Sequence, residues 1–68
     1  MLFAGRYALA QDVIVKQDGG TILSKVLEIG TQEIAYKKWN SQDGLVYKIA
    51  KDQVLSVNYQ NGEVDRFA

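Results

Sequence analysis

The chain contains no cysteine and no histidine among its 68 residues. Without cysteine it forms neither a disulfide nor a thiolate, and without histidine it lacks the imidazole that most often serves as a catalytic base or metal ligand. Disulfide frameworks, thiolate chemistry and imidazole ligation are therefore excluded. The stability of the fold has to come from an apolar core.

An excess of charge of one sign is also missing, because Lys and Arg together number 8, as do Asp and Glu. This balance gives no electrostatic reason to expect nucleic acid or an anionic membrane as a partner. Hydrophobic residues make up 47% and charged residues 24% of the chain. That is an ordinary globular composition and argues against disorder.

A chain of this length predicts a single domain. A domain of about 60 residues buries only about 60% of the surface of its unfolded chain and is marginally stable alone. Self-association as a homo-oligomer through strand edges is therefore one expectation, and the alternative is a monomer whose edges are blunted by Lys16, Lys51 and the charged tail. The edges that we expect to recruit a second copy are residues 13–15 and Val64.

Apolar residues at helical spacing are absent, whereas period-two patterns between turn residues recur along the chain. Residues 50–53 interrupt the alternation and predict one 3-10 turn. We expect an all-β fold, a small antiparallel SH3-like barrel of five to six strands. The predicted strands are residues 12–16, 21–29, 33–39, 45–49, 54–59 and a short sixth strand in 63–67.

Three Asp-Gly or Asn-Gly pairs separate these segments, at Asp18-Gly19, Asp43-Gly44 and Asn61-Gly62. Such pairs supply the positive φ angles that tight turns require, and they predict hairpins. Their spacings are unequal, so they do not indicate a solenoid repeat.

The longest predicted strand, residues 21–29, is apolar on both faces rather than cleanly alternating. A long strand that bends and serves two parts of a sheet has this pattern. We expect Leu27 to face the core. In the other strands the residues expected to face inward are Ile34, Tyr36, Leu45, Tyr47, Ile49, Leu55, Val57 and Tyr59.

Residues 1–10 are apolar and small, with Arg6 as the single charged residue, and they differ from the rest of the chain. The sequence Ala8-Leu9-Ala10 before Gln11 has the Ala-x-Ala form of a signal-peptidase site. We expect residues 1–10 to be the tail of an export signal, which places residues 11–68 as a β-barrel domain in the periplasm or cell envelope. The alternative is an N-terminal segment that packs against the domain or a second copy.

The strand succession, with a short 3-10 turn before the last barrel strand, resembles small SH3-like and Sm-like barrels. A second resemblance is carried by Asp12-x-Ile14, Asp18-Gly19, Ile22, 26–29, 33–38, Gly44, Tyr47-x-Ile49, 54–59 and Asn61-Gly62. Over about residues 8–62 the sequence is similar to short exported all-β domains of Bacteroidetes-type bacteria, which have no established activity. The resemblance implies fold and export rather than a site.

Catalysis is disfavoured by the residues available. A Ser–Lys dyad needs both side chains on one side of the chain, whereas Ser24 and Lys25 are strand neighbours and point to opposite faces. The carboxylates are scattered through turns without the dense ligand spacing of a calcium loop, and the glycines form no phosphate-binding loop. We expect no enzymatic activity, no metal and no cofactor.

The most suggestive cluster combines basic and aromatic residues. Such residues can bind single-stranded nucleic acid through phosphate contacts and stacking, or they can bind a peptide, a glycan or another protein. The alternative is core tyrosines with a solvated lysine rim. The candidate binding residues are Lys37, Lys38, Trp39, Tyr47 and Lys48.

These features predict a non-enzymatic binding or assembly module of the bacterial periplasm or cell envelope. One alternative is an Sm-like oligomeric binder of single-stranded nucleic acid, which the balanced charge disfavours. A second alternative is a purely structural subunit of a larger assembly. The chain contains no stretch long and apolar enough for a transmembrane segment.

Overall fold

The computed structural model describes residues 11–67, which form one six-stranded antiparallel sheet in the order β4-β3-β2-β1-β5-β6. The predicted segment 1–10 lies outside the described residues. Within residues 11–67 no helix is long and apolar enough to cross a membrane. The strands are β1 Asp12–Lys16, β2 Thr21–Ile29, β3 Glu33–Lys38, β4 Tyr47–Ala50, β5 Val54–Asn58 and β6 Val64–Arg66, with 3-10 turns at Trp39–Ser41 and Lys51–Gln53.

The all-β prediction is confirmed, but the closed SH3-like barrel is not, because β4 and β6 are the two edges of an open sheet. The strand positions agree with the prediction except near the first 3-10 turn, which the sequence did not predict. The pairing of β3 with β4 ends at Tyr36 and Tyr47, so Leu45 lies outside the paired segment. Leu45 therefore precedes β4 and is 72% exposed, so its predicted inward position was wrong.

Two of the three predicted glycine turns have the same geometry. Gly19 and Gly62 have φ angles of 92° and 94°. In each turn the preceding side chain, Asp18 or Asn61, accepts a hydrogen bond from the backbone N–H two residues later, at 2.8 and 3.0 Å respectively. Positive φ at glycine and this side-chain acceptor fix the β1–β2 and β5–β6 hairpins.

The link between β4 and β5 forces the sheet to curl. Three strands lie between them in the sheet, so a flat arrangement would separate them by about 19 Å. The link is a three-residue 3-10 turn, Lys51–Gln53, which advances the chain only about 8 Å from Ala50 to Val54. Backbone hydrogen bonds from Lys51 N to Gln32 O (2.8 Å) and from Gln17 N to Gln53 O (2.9 Å) hold the turn against both halves of the sheet.

The curl encloses a core between the strands of the sheet itself. Its fully buried members come from strands far apart in the sheet order: Ile34 in β3, Ile14 in β1, and Val54 and Val57 in β5 are each 0% exposed. Tyr36 completes the cluster as predicted. Half-buried side chains packed against it are Ile22, Val26, Ile29, Tyr47, Ile49, Tyr59 and Phe67.

Two β-bulges explain why Leu27 and Leu55 face outward, contrary to prediction. Val26 pairs with Tyr36 and Glu28 with Ala35, so Leu27 is an extra residue in β2. Likewise Val15 pairs with Ser56 and Lys16 with Val54, which leaves Leu55 extra in β5. A bulge shifts the alternation by one residue, and the two leucines are 45% and 47% exposed.

Asp12 joins three strands at the beginning of β1. Its carboxylate accepts hydrogen bonds from the backbone N–H of Val26 (2.9 Å) and from that of Gln60 (3.0 Å). The Ser24 hydroxyl donates to the Asp12 carbonyl oxygen at 3.2 Å. The side chain thereby connects the start of β1 to β2 and to the turn that follows β5.

The predicted edge at residues 13–15 was wrong, because β1 pairs with β2 on one side and β5 on the other. Val64 does lie on an edge strand, β6, and the opposite edge is β4.

The bulge at Leu27 can be tested by comparing Leu27→Ala with Ile34→Ala in urea denaturation. Removing the buried Ile34 side chain leaves a cavity and should lower the free energy of unfolding by about 2–5 kcal/mol. Leu27→Ala should lower it by less than about 1 kcal/mol. Equal losses for the two variants would show that Leu27 belongs to the core.

A second comparison tests the hydrogen bonds of Asp12. Asp12→Ala should lower the free energy of unfolding by about 1.5–3 kcal/mol, since two backbone donors lose a charged acceptor. Asp12→Asn, which keeps one acceptor oxygen, should cost less. Asp43→Ala, an exposed loop carboxylate, is the control and should leave the denaturation midpoint unchanged; a drop equal to that of Asp12→Ala would contradict the assignment.

Candidate binding surface

Lys38 and Tyr47 meet at the end of the curled inner face. The Lys38 Nζ lies 4.9 Å from the centre of the Tyr47 ring, within the range of a cation–π interaction. The Tyr47 ring is in turn stacked on Tyr36, with centroids 5.8 Å apart and an interplanar angle of 25°. The two tyrosines are direct cross-strand partners of β3 and β4, so the register itself creates the pair.

Trp39 lies beside this cluster in the first 3-10 turn and lines a groove. The groove has a volume of about 320 Å³ and is formed by Thr21, Ile22, Leu23, Lys38, Trp39 and Asn40. Trp39 is half-buried, whereas Leu23 is 50% exposed. Apolar walls with a lysine and an amide at the rim suit a ligand that is partly apolar and partly polar.

The five predicted binding residues divide between two faces of the sheet. Lys38 and Tyr47 belong to the inner side, while Lys37 and Lys48 alternate with them and point outward. Lys48 lines a separate groove at the β2–β3 turn, of about 460 Å³, together with Glu28 and Glu33. The structure therefore brings together Lys38, Trp39 and Tyr47 but separates Lys48 from them.

Sequence reasoning missed Lys25, which is the direct cross-strand partner of Lys37. Two like charges opposite each other are destabilising in a sheet. Among residues 11–67 the single ion pair joins Lys16 to Asp18, at 3.9 Å, so neither lysine is neutralised by a carboxylate in contact. The register between β2 and β3 depends on a bulge, which is why the pattern alone did not reveal the pair.

A second, acidic surface lies at the β5–β6 hairpin. Its groove of about 360 Å³ is lined by Asp12, Tyr59, Gln60, Asn61, Glu63 and Asp65. The Tyr59 hydroxyl donates to Asp65 Oδ2 at 2.8 Å. Within the described part of the chain no group of three or more acidic side chains is arranged to hold a metal ion.

Two tyrosines have raised pKa values. Burial raises the pKa of Tyr59 to about 12, assisted by the hydrogen bond to Asp65 and by the negative charges of Asp65, Asp12 and Glu63. Burial also raises the pKa of Tyr36, with a smaller contribution from Tyr47. Both groups therefore remain neutral hydrogen-bonding or stacking groups at physiological pH.

Ser24 and Lys25 point to opposite sides of β2, as predicted. Ser24 is fully buried and donates its hydroxyl to a backbone carbonyl, whereas Lys25 is exposed. The hydroxyl of Ser24 therefore supports the pairing of β1 with β2.

Comparison of the chain with protein-family models, with curated proteins and with solved structures finds no match. The geometry of the described surfaces is therefore the basis for a functional proposal.

The raised pKa of Tyr59 predicts a loss of stability at alkaline pH. The pKa of Tyr59 in the folded protein, about 12, exceeds the ordinary value of 10.0. Neutral Tyr59 therefore stabilises the folded state fully below pH 10, and this stabilisation is lost as the pH rises towards 12. Thermal unfolding followed across this range should show a falling midpoint. Tyr59→Phe should weaken that fall, and Asp65→Asn should lower the pKa of Tyr59 in a tyrosinate absorbance titration; an unchanged titration would contradict the hydrogen-bond assignment.

Proposed function

We propose that this protein is a non-enzymatic binding or assembly module of the bacterial periplasm or cell envelope. The observation that carries the proposal is the surface formed by Lys38, Trp39 and Tyr47, where a cation, a stacked aromatic pair and an apolar groove adjoin. Such groups bind a partner through contacts and do not catalyse a reaction on it. The buried Ser24, the hydroxyl nearest to a lysine in sequence, is engaged by backbone and faces away from that lysine.

As part of this proposal we assign the fold more specifically to a partly open SH3-like barrel. Support comes from the three-residue 3-10 link between β4 and β5 and from the resulting curl, which brings core residues of β3 and β5 together. In this arrangement β6 extends the sheet beyond β5 and leaves two short edges, β4 and β6, available for assembly.

Export is supported by the Ala8-Leu9-Ala10 sequence before Gln11. The test is the mass of the native protein isolated from separated periplasmic and cytosolic fractions of the source cells. We expect a mature form that begins at Gln11 in the periplasmic fraction. A form that retains Met1 and is confined to the cytosol would reject the envelope assignment.

An Sm-like binder of single-stranded nucleic acid is the second candidate, favoured by the opposed pair Lys25 and Lys37 near Trp39. Trp39 is the only tryptophan in the chain, so its fluorescence reports on this surface alone. Titration with single-stranded RNA at low and high salt should leave the fluorescence unchanged under our proposal. Quenching at low salt that weakens with added salt would favour the nucleic-acid alternative.

A purely structural subunit is the third candidate, and the open edges of β4 and β6 favour it. Light scattering across a range of concentrations distinguishes it from a binding module. A stable oligomer at low concentration would favour the structural role, whereas a monomer at high concentration would count against it.

A further inference from the structure

The outward face of the sheet has a basic and apolar end next to the first 3-10 turn. We call it the Lys25–Lys37 surface and define it by Leu23, Lys25 and Lys37, which point outward, together with Trp39 and Val46, which lie just beyond the strands at that end. Lys25 and Lys37 are paired across β2 and β3. Val46 lies immediately before β4, next to the last cross-strand pair of β3 and β4, Tyr36 and Tyr47.

Apolar side chains of this surface are unusually open to solvent. Leu23 is 50% and Val46 is 51% exposed, and Leu23 shares a groove with Trp39. Single exposed aliphatic residues need no explanation, but here Leu23 lies beside a tryptophan in a groove and on the same face as two opposed lysines. Trp is also the side chain most enriched where a protein meets the boundary between water and lipid.

The carboxylates of this face are concentrated at one end of the strands. Glu28 and Glu33 point outward near the β2–β3 turn, together with Lys48. The end with Lys25 and Lys37 has no carboxylate among the outward positions of β2 and β3, although the whole chain has a net charge of zero. The outward positions of these two strands therefore carry only positive charge at this end.

We propose that the Lys25–Lys37 surface docks the domain peripherally on an anionic phospholipid bilayer. Lys25 and Lys37 contact the lipid phosphates, which removes the cost of opposing two like charges. Leu23, Val46 and the Trp39 indole enter the headgroup boundary. This inference deepens the proposed function and rests on the assignment of the protein to the cell envelope.

Two other partners fit this surface less well. Single-stranded nucleic acid needs exposed aromatic faces for stacking, whereas Trp39 is half-buried and the remaining apolar members are aliphatic. A second copy whose two-fold axis passes through the lysine pair would bring the like charges of both copies together. An anionic bilayer satisfies both the lysines and the aliphatic side chains.

The test uses the full chain and vesicles of phosphatidylcholine with or without a one-third share of phosphatidylglycerol. Binding is measured by co-sedimentation and by the blue shift of Trp39 fluorescence. We expect binding to the anionic vesicles only, with loss at high salt. The double variant Lys25→Gln/Lys37→Gln should weaken binding by roughly tenfold or more, and Leu23→Ser should reduce both binding and the blue shift.

The matched control is Arg66→Gln, which removes a positive charge from an exposed position on β6 and should bind as the unaltered protein does. The substituted side chains lie outside the core. The midpoints of Leu23→Ser and Arg66→Gln should match that of the unaltered protein, and the double lysine variant, which loses the repulsion between two opposed charges, should have an equal or higher midpoint. Equal binding to both vesicle types overturns the proposal. Undiminished vesicle binding by Lys25→Gln/Lys37→Gln also overturns it and would assign binding to another part of the chain.

Two further outcomes separate this inference from the proposed function. RNA binding without vesicle binding, or a dimer in light scattering without vesicle binding, rejects the bilayer as partner but leaves export untouched. Retention of the native protein in the cytosol rejects the proposed function, whatever the vesicle result.

Discussion

The short connection from β4 to β5 is the constraint on which the rest of the structure depends. A three-residue 3-10 turn joins two strands that have three others between them in the sheet. The sheet has to curl to satisfy it, and curling encloses Ile14, Ile34, Val54 and Val57 between its own strands. The residues of the turn are held by hydrogen bonds to the β2–β3 turn and to the end of β1, so the link stabilises the curvature that it imposes.

Two bulges divide the apolar residues between an inner and an outer face. Leu27 and Leu55 are the extra residues, and after each of them the strand presents the other parity to the core. This lets a strand bend while both of its halves keep buried side chains. Asp12 secures the bend in β2, because its carboxylate accepts from Val26 N, immediately before the bulge. Bulge and carboxylate together therefore determine which side chains reach the outer surface.

The outer surface shows how a neutral chain can carry a polar asymmetry. Glu28 and Glu33 lie at one end, and Lys25 and Lys37 lie at the other with exposed aliphatic side chains around them. The net charge of the chain does not reveal this separation, because the separation depends on which residues share a face of the sheet and a row across its strands. The same principle applies to the inner end, where Lys38 and Tyr47 come together only because the strands pair in one register.

The sequence alone determined the local structure: β1 and β2 to the residue, the 3-10 turn before β5, and the hairpins at Gly19 and Gly62, because strand patterning and positive φ are local properties. It also predicted Ile34, Tyr36 and Val57 as core. Only the tertiary structure decided that Leu27 and Leu55 face outward, that residues 13–15 are interior, and that Lys25 opposes Lys37. Those outcomes depend on pairing between distant strands, and a one-residue bulge reverses which side chains are buried without leaving a signature in the alternation.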